Sequence, residues 1–438
     1  MSSYNVKKTP GDTGWFTKDR FGMFIHFGLY AMPARHEWVK SMEKISEEKY
    51  DVYFKHFNPD LYDPKDWARQ AKAAGMKYAV MTAKHHEGFC LFDSKYTDYK
   101  SVNTPIGRDL LREYVDAFRA EGLRVGFYYS LIDWHHPDFT IDRNHPRRDD
   151  ENAFEQNKDR DIRKYAEYMR NQVTELLTNY GKIDIIWFDF SYSNPDVNDK
   201  PWMKGKGKDD WESEKLIELV RKLQPHIIIN NRTEIEQDIV TPEQYQPMDW
   251  LRDPATNELV LWEACQTFSG SWGYHRDETS WKSPETLINM LINTVCKGGN
   301  LLMNVGPTSR GFLDYRAEAA LKVYADWMKY NSRSIYGCTM AEPEFTEPRG
   351  CRLTQSEDGK RLYVHLIEYP YKFLEMKGMA GKVEYAQFLH DGSEILFSEK
   401  ESRHFSAGRT KADDLLILEL PDVKPPVIVP VVELFLKS

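Results

Sequence analysis

Short apolar runs alternate with amphipathic stretches along the first three quarters of the chain, and this alternation restricts the fold more than any single motif. The apolar runs occupy residues 23–28, 78–83, 124–130, 183–188, 226–230 and 300–305. Between them, residues 64–74, 109–121, 163–178, 212–223 and 284–296 carry the three-and-four spacing of amphipathic helices. Strand–helix repetition of this kind predicts a mostly parallel sheet, and this number of units predicts a (β/α)8-like (TIM) barrel, regular or imperfect. After an amphipathic helix over 315–330 the pattern changes. A Pro- and Glu-rich linker at 342–350 leads into short alternating runs at 361–367 and 414–420 with no long helix. The expected organisation is a barrel over residues 1–338 and a small antiparallel β-sandwich over 339–438.

The run Lys182-Ile-Asp-Ile-Ile-Trp-Phe-Asp189 stops abruptly on a carboxylate flanked by aromatic rings. A run that is apolar almost throughout is a strand buried on both faces, and Asp189 stands where it leaves the core. An ionised carboxylate there needs partners or chemistry to offset its desolvation. Asp184 begins the same strand and therefore belongs to the barrel's stability face. The other late-strand polar residues are His26, the pair His85-His86 and the pair Tyr128-Tyr129. Barrel enzymes draw their catalytic groups from several strands at this face, so the convergence says more than any member alone.

Each of these residues also has a plain explanation. His26 alone fits a hydrogen-bonded core histidine, and Trp38, Trp187 and Trp272 fit core aromatics in a chain with 12 tryptophans. His85-His86 invites a metal reading. However, neighbours on a strand point to opposite sides, and no third spaced ligand accompanies them, so no metal is expected. The five cysteines are far apart, without a Cys-x-x-Cys pair, and read as buried or free thiols. A net charge of -9, with no Lys/Arg block, disfavours nucleic acid and acidic membrane surfaces as partners. The N-terminus shows no apolar secretion signal and no stretch is long enough to span a membrane, which sets the expectation of a cytoplasmic protein.

Aromatic faces beside hydrogen-bonding groups suit a sugar ring, and glycosidic cleavage requires two carboxyl groups. Asp189 is the first. Glu243 after Thr241-Pro242, Glu263 after Trp262, and Glu278 near Trp272 are candidates for the second. Glu243 also fits a simple first-turn helix acid.

The series Arg20-Phe-Gly-Met-Phe-Ile-His-Phe-Gly28, His36-Glu-Trp38, Ala83-Lys-His-His-Glu-Gly-Phe89, Tyr128-Tyr-Ser130, Trp187-Phe-Asp189, Trp262-Glu263, Ser271-Trp-Gly-Tyr274 and Gly298-Gly-Asn-Leu-Leu-Met-Asn-Val-Gly-Pro307 resembles the α-L-fucosidases of glycoside hydrolase family 29. It runs in order across roughly residues 15–340. The resemblance implies an exo-acting retaining enzyme that removes terminal α-linked L-fucose from glycans without a metal or organic cofactor. It implies Asp189 as nucleophile, and His26, Glu37, Trp38, His85, His86, Tyr129 and Trp187 as holders of the sugar, with Trp272 under the C5 methyl edge. The family does not keep the acid/base at one motif. Glu243 is the preferred choice because it lies on a polar loop, with Glu278 and Glu263 as alternatives. Phe190 and Val39 depart from the residues common in relatives. A catalytically silent carbohydrate-binding protein and a metal-dependent hydrolase built on His85 and His86 are the competing classes.

Overall fold

The computed structural model describes residues 4–193, 201–399 and 415–437. Seven strands, β1 (Phe21–Ile25), β2 (Tyr78–Lys84), β3 (Arg124–Ser130), β4 (Ile185–Asp189), β5 (Ile228–Ile229), β6 (Glu263–Thr267) and β7 (Asn300–Val305), pair in parallel in the order β5-β4-β3-β2-β1-β7-β6 and curl into a TIM-like half-barrel. Helices cover their outer side. Among the described residues six helices begin on a side chain that accepts a backbone N–H of the first turn: Ser46, Asp63, Asp109, Asp161, Ser283 and Asp314. Each such cap contributes about 1 kcal/mol and fixes where the chain turns from loop to helix.

The two-residue alternation of the strands sorts their side chains into two layers. Phe21, Met23 and Ile25 of β1, Val125, Phe127 and Tyr129 of β3, and Ile186 and Phe188 of β4 join the large core under the helices. Phe24, Tyr128, Ile185 and Trp187 form a separate cluster inside the barrel with Val80, Ile228 and Leu302.

The predicted barrel is therefore present but irregular. Strand β6, Glu-Ala-Cys-Gln-Thr, is absent from the apolar runs because three of its five residues are polar. Among the described residues no regular ladder joins edge strands β5 and β6. Single parallel bridges, Asn230 to Ile239, Val240 to Trp262 and Glu243 to Cys265, thread residues 239–243 through the gap.

Beyond the barrel, β8 (Cys338–Met340), β9 (Cys351–Ser356), β10 (Arg361–Leu366), β12 (Val383–Phe388) and β15 (Val431–Leu436) form one antiparallel sheet. A second sheet comprises β11 (Phe373–Lys377), β13 (Phe397–Ser398) and β14 (Leu415–Glu419). Leu362, Val364, Val432 and Leu434 of the first pack against Leu374, Met376, Leu416 and Leu418 of the second, giving the anticipated sandwich. The first sheet starts at Cys338, and the expected run from 414 begins one position before the described residues resume. Trp327 donates its indole N–H to Val429 O at 3.0 Å, tying the last barrel helix to the sandwich. All five cysteines are buried and free. Among the described residues no helix is long and apolar enough to cross a membrane.

Candidate active site

At the C-terminal ends of the strands lies a cavity of about 350 Å³ lined by His26, Glu37, Trp38, His85, His86, Tyr128, Trp187, Asp189, Phe190, Glu243, Cys265 and Trp272, with Phe24. Asp189 closes β4. Its Oδ2 accepts from the Tyr128 hydroxyl at 2.7 Å, and its Oδ1 from Arg232 Nη1 at 2.9 Å. The same Arg232 nitrogen lies 2.8 Å from Glu243 Oε2. One guanidinium therefore holds both carboxylates, while its plane rests 4.8 Å from the centre of the Trp187 ring and its Nε donates to Thr241 Oγ1 at 3.0 Å. Because both contacts share one nitrogen, the two bonded oxygens cannot be farther apart than about 5.7 Å, which keeps the two carboxyl groups close neighbours. Burial raises the Glu243 carboxyl above its usual range, Arg232 pulls it back, and the Asp189 charge pushes it up again. The net shift is upward, the direction a proton donor requires.

The histidines are fixed from behind. His26 Nδ1 is 2.6 Å from Asn304 Oδ1, and Asn304 gives its amide N–H to Trp272 O at 2.6 Å. The oxygen thus faces the imidazole, so Nδ1 is the donor and Nε2 carries the free lone pair. His86 Nδ1 is 2.6 Å from Ser130 Oγ, which already donates to Ile132 O at 2.9 Å and so must accept from His86. Both rings are held well below the usual histidine range, first by burial and then by neighbouring His85, and remain neutral. Glu37 Oε2 accepts the backbone N–H of Trp272 at 3.2 Å and of Gly273 at 2.9 Å. The pocket therefore presents mainly acceptors between aromatic walls, a lining suited to a ligand rich in hydroxyl groups.

Several expectations need correction. Tyr129 does not reach the cavity. It points outward, donating to Gln172 Oε1 at 2.7 Å, and its neighbour Tyr128 takes the inward place. His85 and His86 do not point to opposite sides. Strand geometry ends at Lys84, and the Gly88 N–H turns back to His85 O at 3.0 Å, with Gly88 at φ 86°, leaving the two rings 4.0 Å apart in one pocket. Glu263 is fully buried beneath the cavity, where it accepts from Tyr78 Oη at 2.5 Å and Trp187 Nε1 at 3.0 Å; burial lifts it to about 7 despite these bonds. Glu278 accepts from the Ser271 and Ser280 hydroxyls and from the backbone of Thr279 and Ser280. Burial would raise it, but these bonds prevail and hold it at about 2, unsuited to donating a proton. Neither glutamate lines the cavity.

His26, Glu37, Trp38, His85, His86, Trp187, Asp189, Glu243 and Trp272 come together as expected. Sequence reasoning missed Arg232, Asn304 and Tyr128 as individual participants. Phe190, one of the departures, adopts φ 80° and packs 5.0 Å from Trp38 and 5.2 Å from His86, closing the outer wall. Among the described residues no three His, Cys, Asp or Glu side chains are grouped to hold a metal ion.

The model of the α-L-fucosidase family matches residues 2–333. The chain belongs to the α-L-fucosidase family. It is thereby a glycoside hydrolase, and solved relatives share its fold. α-L-Fucosidase isoenzyme 1 from Paenibacillus thiaminolyticus is 44% identical with a TM-score of 0.86, covering 98% of this chain and 99% of the other. The covalent intermediate of a family 29 α-L-fucosidase from Bacteroides thetaiotaomicron, trapped with 2-fluoro-fucosyl fluoride, superposes with a TM-score of 0.81 at 27% identity over 100% of both chains. Bovine tissue α-L-fucosidase is 28% identical over 383 residues, 81% of this chain and 75% of the bovine one.

Proposed function

We propose that this fucosidase is exo-acting and retaining, releasing terminal α-linked L-fucose from a fucosylated oligosaccharide or glycoconjugate with Asp189 as nucleophile and Glu243 as acid/base. The single guanidinium nitrogen shared by Asp189 and Glu243 carries this reading, because it brings the two carboxyl groups within range of direct displacement. In the first step an Asp189 oxygen bonds to the sugar C1. The bond from C1 to the leaving oxygen breaks, and that oxygen takes the Glu243 proton. In the second step the Glu243 carboxylate takes a proton from water, whose oxygen bonds to C1 and frees Asp189. The trapped intermediate of the Bacteroides relative supports the double displacement.

His26 and His86 accept from sugar hydroxyls through Nε2, Glu37 accepts through its remaining oxygen, and Trp272, with a ring centre 5.2 Å from that of His26, faces the apolar edge. Reaction with 2-fluoro-fucosyl fluoride tests the assignment. One fluorofucosyl mass on a peptide containing Asp189, and product released first as the α anomer, are expected. Labelling elsewhere or initial release of the β anomer overturns it. Glu243→Ala should accept azide in place of water during turnover, giving an α-fucosyl azide.

A further inference from the structure

Two of the three pocket histidines are anchored through Nδ1 by neutral groups, Asn304 and Ser130. The third is different. His85 Nδ1 lies 3.4 Å from Glu87 Oε2, both side chains are almost wholly buried, and neither His85 Nδ1 nor either Glu87 oxygen has a hydrogen-bond partner among the described residues. The carboxylate is enclosed. A Cβ on Gly28 would stand 2.9 Å from Glu87 Oε1 and 2.8 Å from the Tyr30 ring, so the chain just past the first strand lies close against the carboxylate. The buried hydroxyls of Tyr50 and Tyr99 also lack partners, and both are pushed upward by burial first and by the Glu87 charge second. A buried carboxylate without a donor is expensive, and His85 Nδ1 at 3.4 Å is already within hydrogen-bond distance, so a small reorientation of the imidazole or the carboxylate makes the contact a full hydrogen bond.

We infer that Glu87 is a positioning residue for the sugar site: its carboxylate takes the His85 Nδ1 proton in a hydrogen bond, fixing the ring so that Nε2 faces the substrate. This rests on the proposed role of the pocket in holding the sugar. His85 then repeats the arrangement of His26 and His86, with Nδ1 anchored behind and Nε2 toward the cavity. Aromatic rings pack around it: Tyr30 lies 5.0 Å, His26 5.5 Å and Tyr128 5.5 Å from it, centre to centre. Through the turn at Gly88 the pair Glu87 and His85 becomes a compact unit at the end of β2.

Nitrogen-15 NMR of histidine-labelled full-length protein, with His85 assigned by its disappearance in His85→Asn, reads the bond directly. A protonated, carboxylate-bonded Nδ1 is expected, and a bare Nδ1 in the native protein overturns the inference whatever the enzyme's activity. A double-mutant cycle on 4-nitrophenyl α-L-fucoside supplies the functional arm. Glu87→Ala should lower kcat/KM roughly 10- to 100-fold, the size expected from a misplaced contact group. The same change in a His85→Ala background should lower it less than about 2-fold, because the two residues act as one unit. Equal losses in both backgrounds would make Glu87 merely structural and refute the proposal. Native protein that fails to cleave the fucoside would refute the proposed function instead, leaving the NMR result to be judged alone.

Discussion

The mouth of the barrel and the interior of the sandwich are both densely buried, yet they are built from opposite materials. Between the two C-terminal sheets lie Leu, Val, Ile, Met, Phe and Ala side chains with Cys351. At the barrel mouth, Glu37, His26, His85, His86 and Asn304 are just as hidden, and all but His85 bond to one another or to tryptophan and serine neighbours. One region gains stability from apolar contact and can tolerate any shape that fills it. The other accepts desolvation so that donors and acceptors stand at fixed places.

The contrast is tested most severely at Asp189. Asp189→Asn should reduce kcat by about 10⁴-fold or more while the thermal transition stays within about 2 °C of native, measured by fucoside hydrolysis and circular dichroism. A parallel loss of stability would mean the residue also holds the fold. Next in size is the reverse case. Leu434→Ala, fully buried between the sheets, should destabilise by about 2–5 kcal/mol in urea unfolding yet leave the kcat of folded protein unchanged.

Arg232→Gln should lower kcat roughly 100-fold and also move the alkaline limb of the pH profile. Arg232 holds the Glu243 carboxyl down against burial and Asp189, so removing it raises Glu243 further. The acid form then survives to higher pH, and the limb must shift upward. A downward shift would contradict the assignment. The smallest effect is expected at Glu263. Burial raises its folded value to about 7, above the unfolded carboxyl, so folding is favoured while it is protonated and that advantage is lost as pH rises toward and through 7. Glu263→Gln should match native stability at pH 4.5 and exceed it by about 1–3 kcal/mol at pH 8.

Much of this was readable from the chain alone. The inner and outer layers followed from strand periodicity, and Asp189 announced itself by ending an apolar run. The error at Tyr129 is one of parity. Two adjacent tyrosines share a strand, and only the register against β4, where Tyr128 pairs with Trp187, says which faces inward. Arg232 follows a strand of two residues, too short to leave a periodic trace, and it meets Asp189 from 43 positions away. The preference for Glu243 comes from its polar loop alone, whereas the hydrogen bonds that hold Glu263 beneath the cavity and Glu278 outside it are encoded by no local pattern. The pairing of His85 with His86 in one cavity depended on a reversal at Gly88 rather than on the strand before it.

Glu243 rides on residues 239–243, the segment stitched into the barrel by isolated bridges rather than by a continuous ladder. On the proposed assignment this seam separates the acid from the nucleophile mechanically: the connection that carries Glu243 can change length or course without disturbing the ribbon that ends in Asp189.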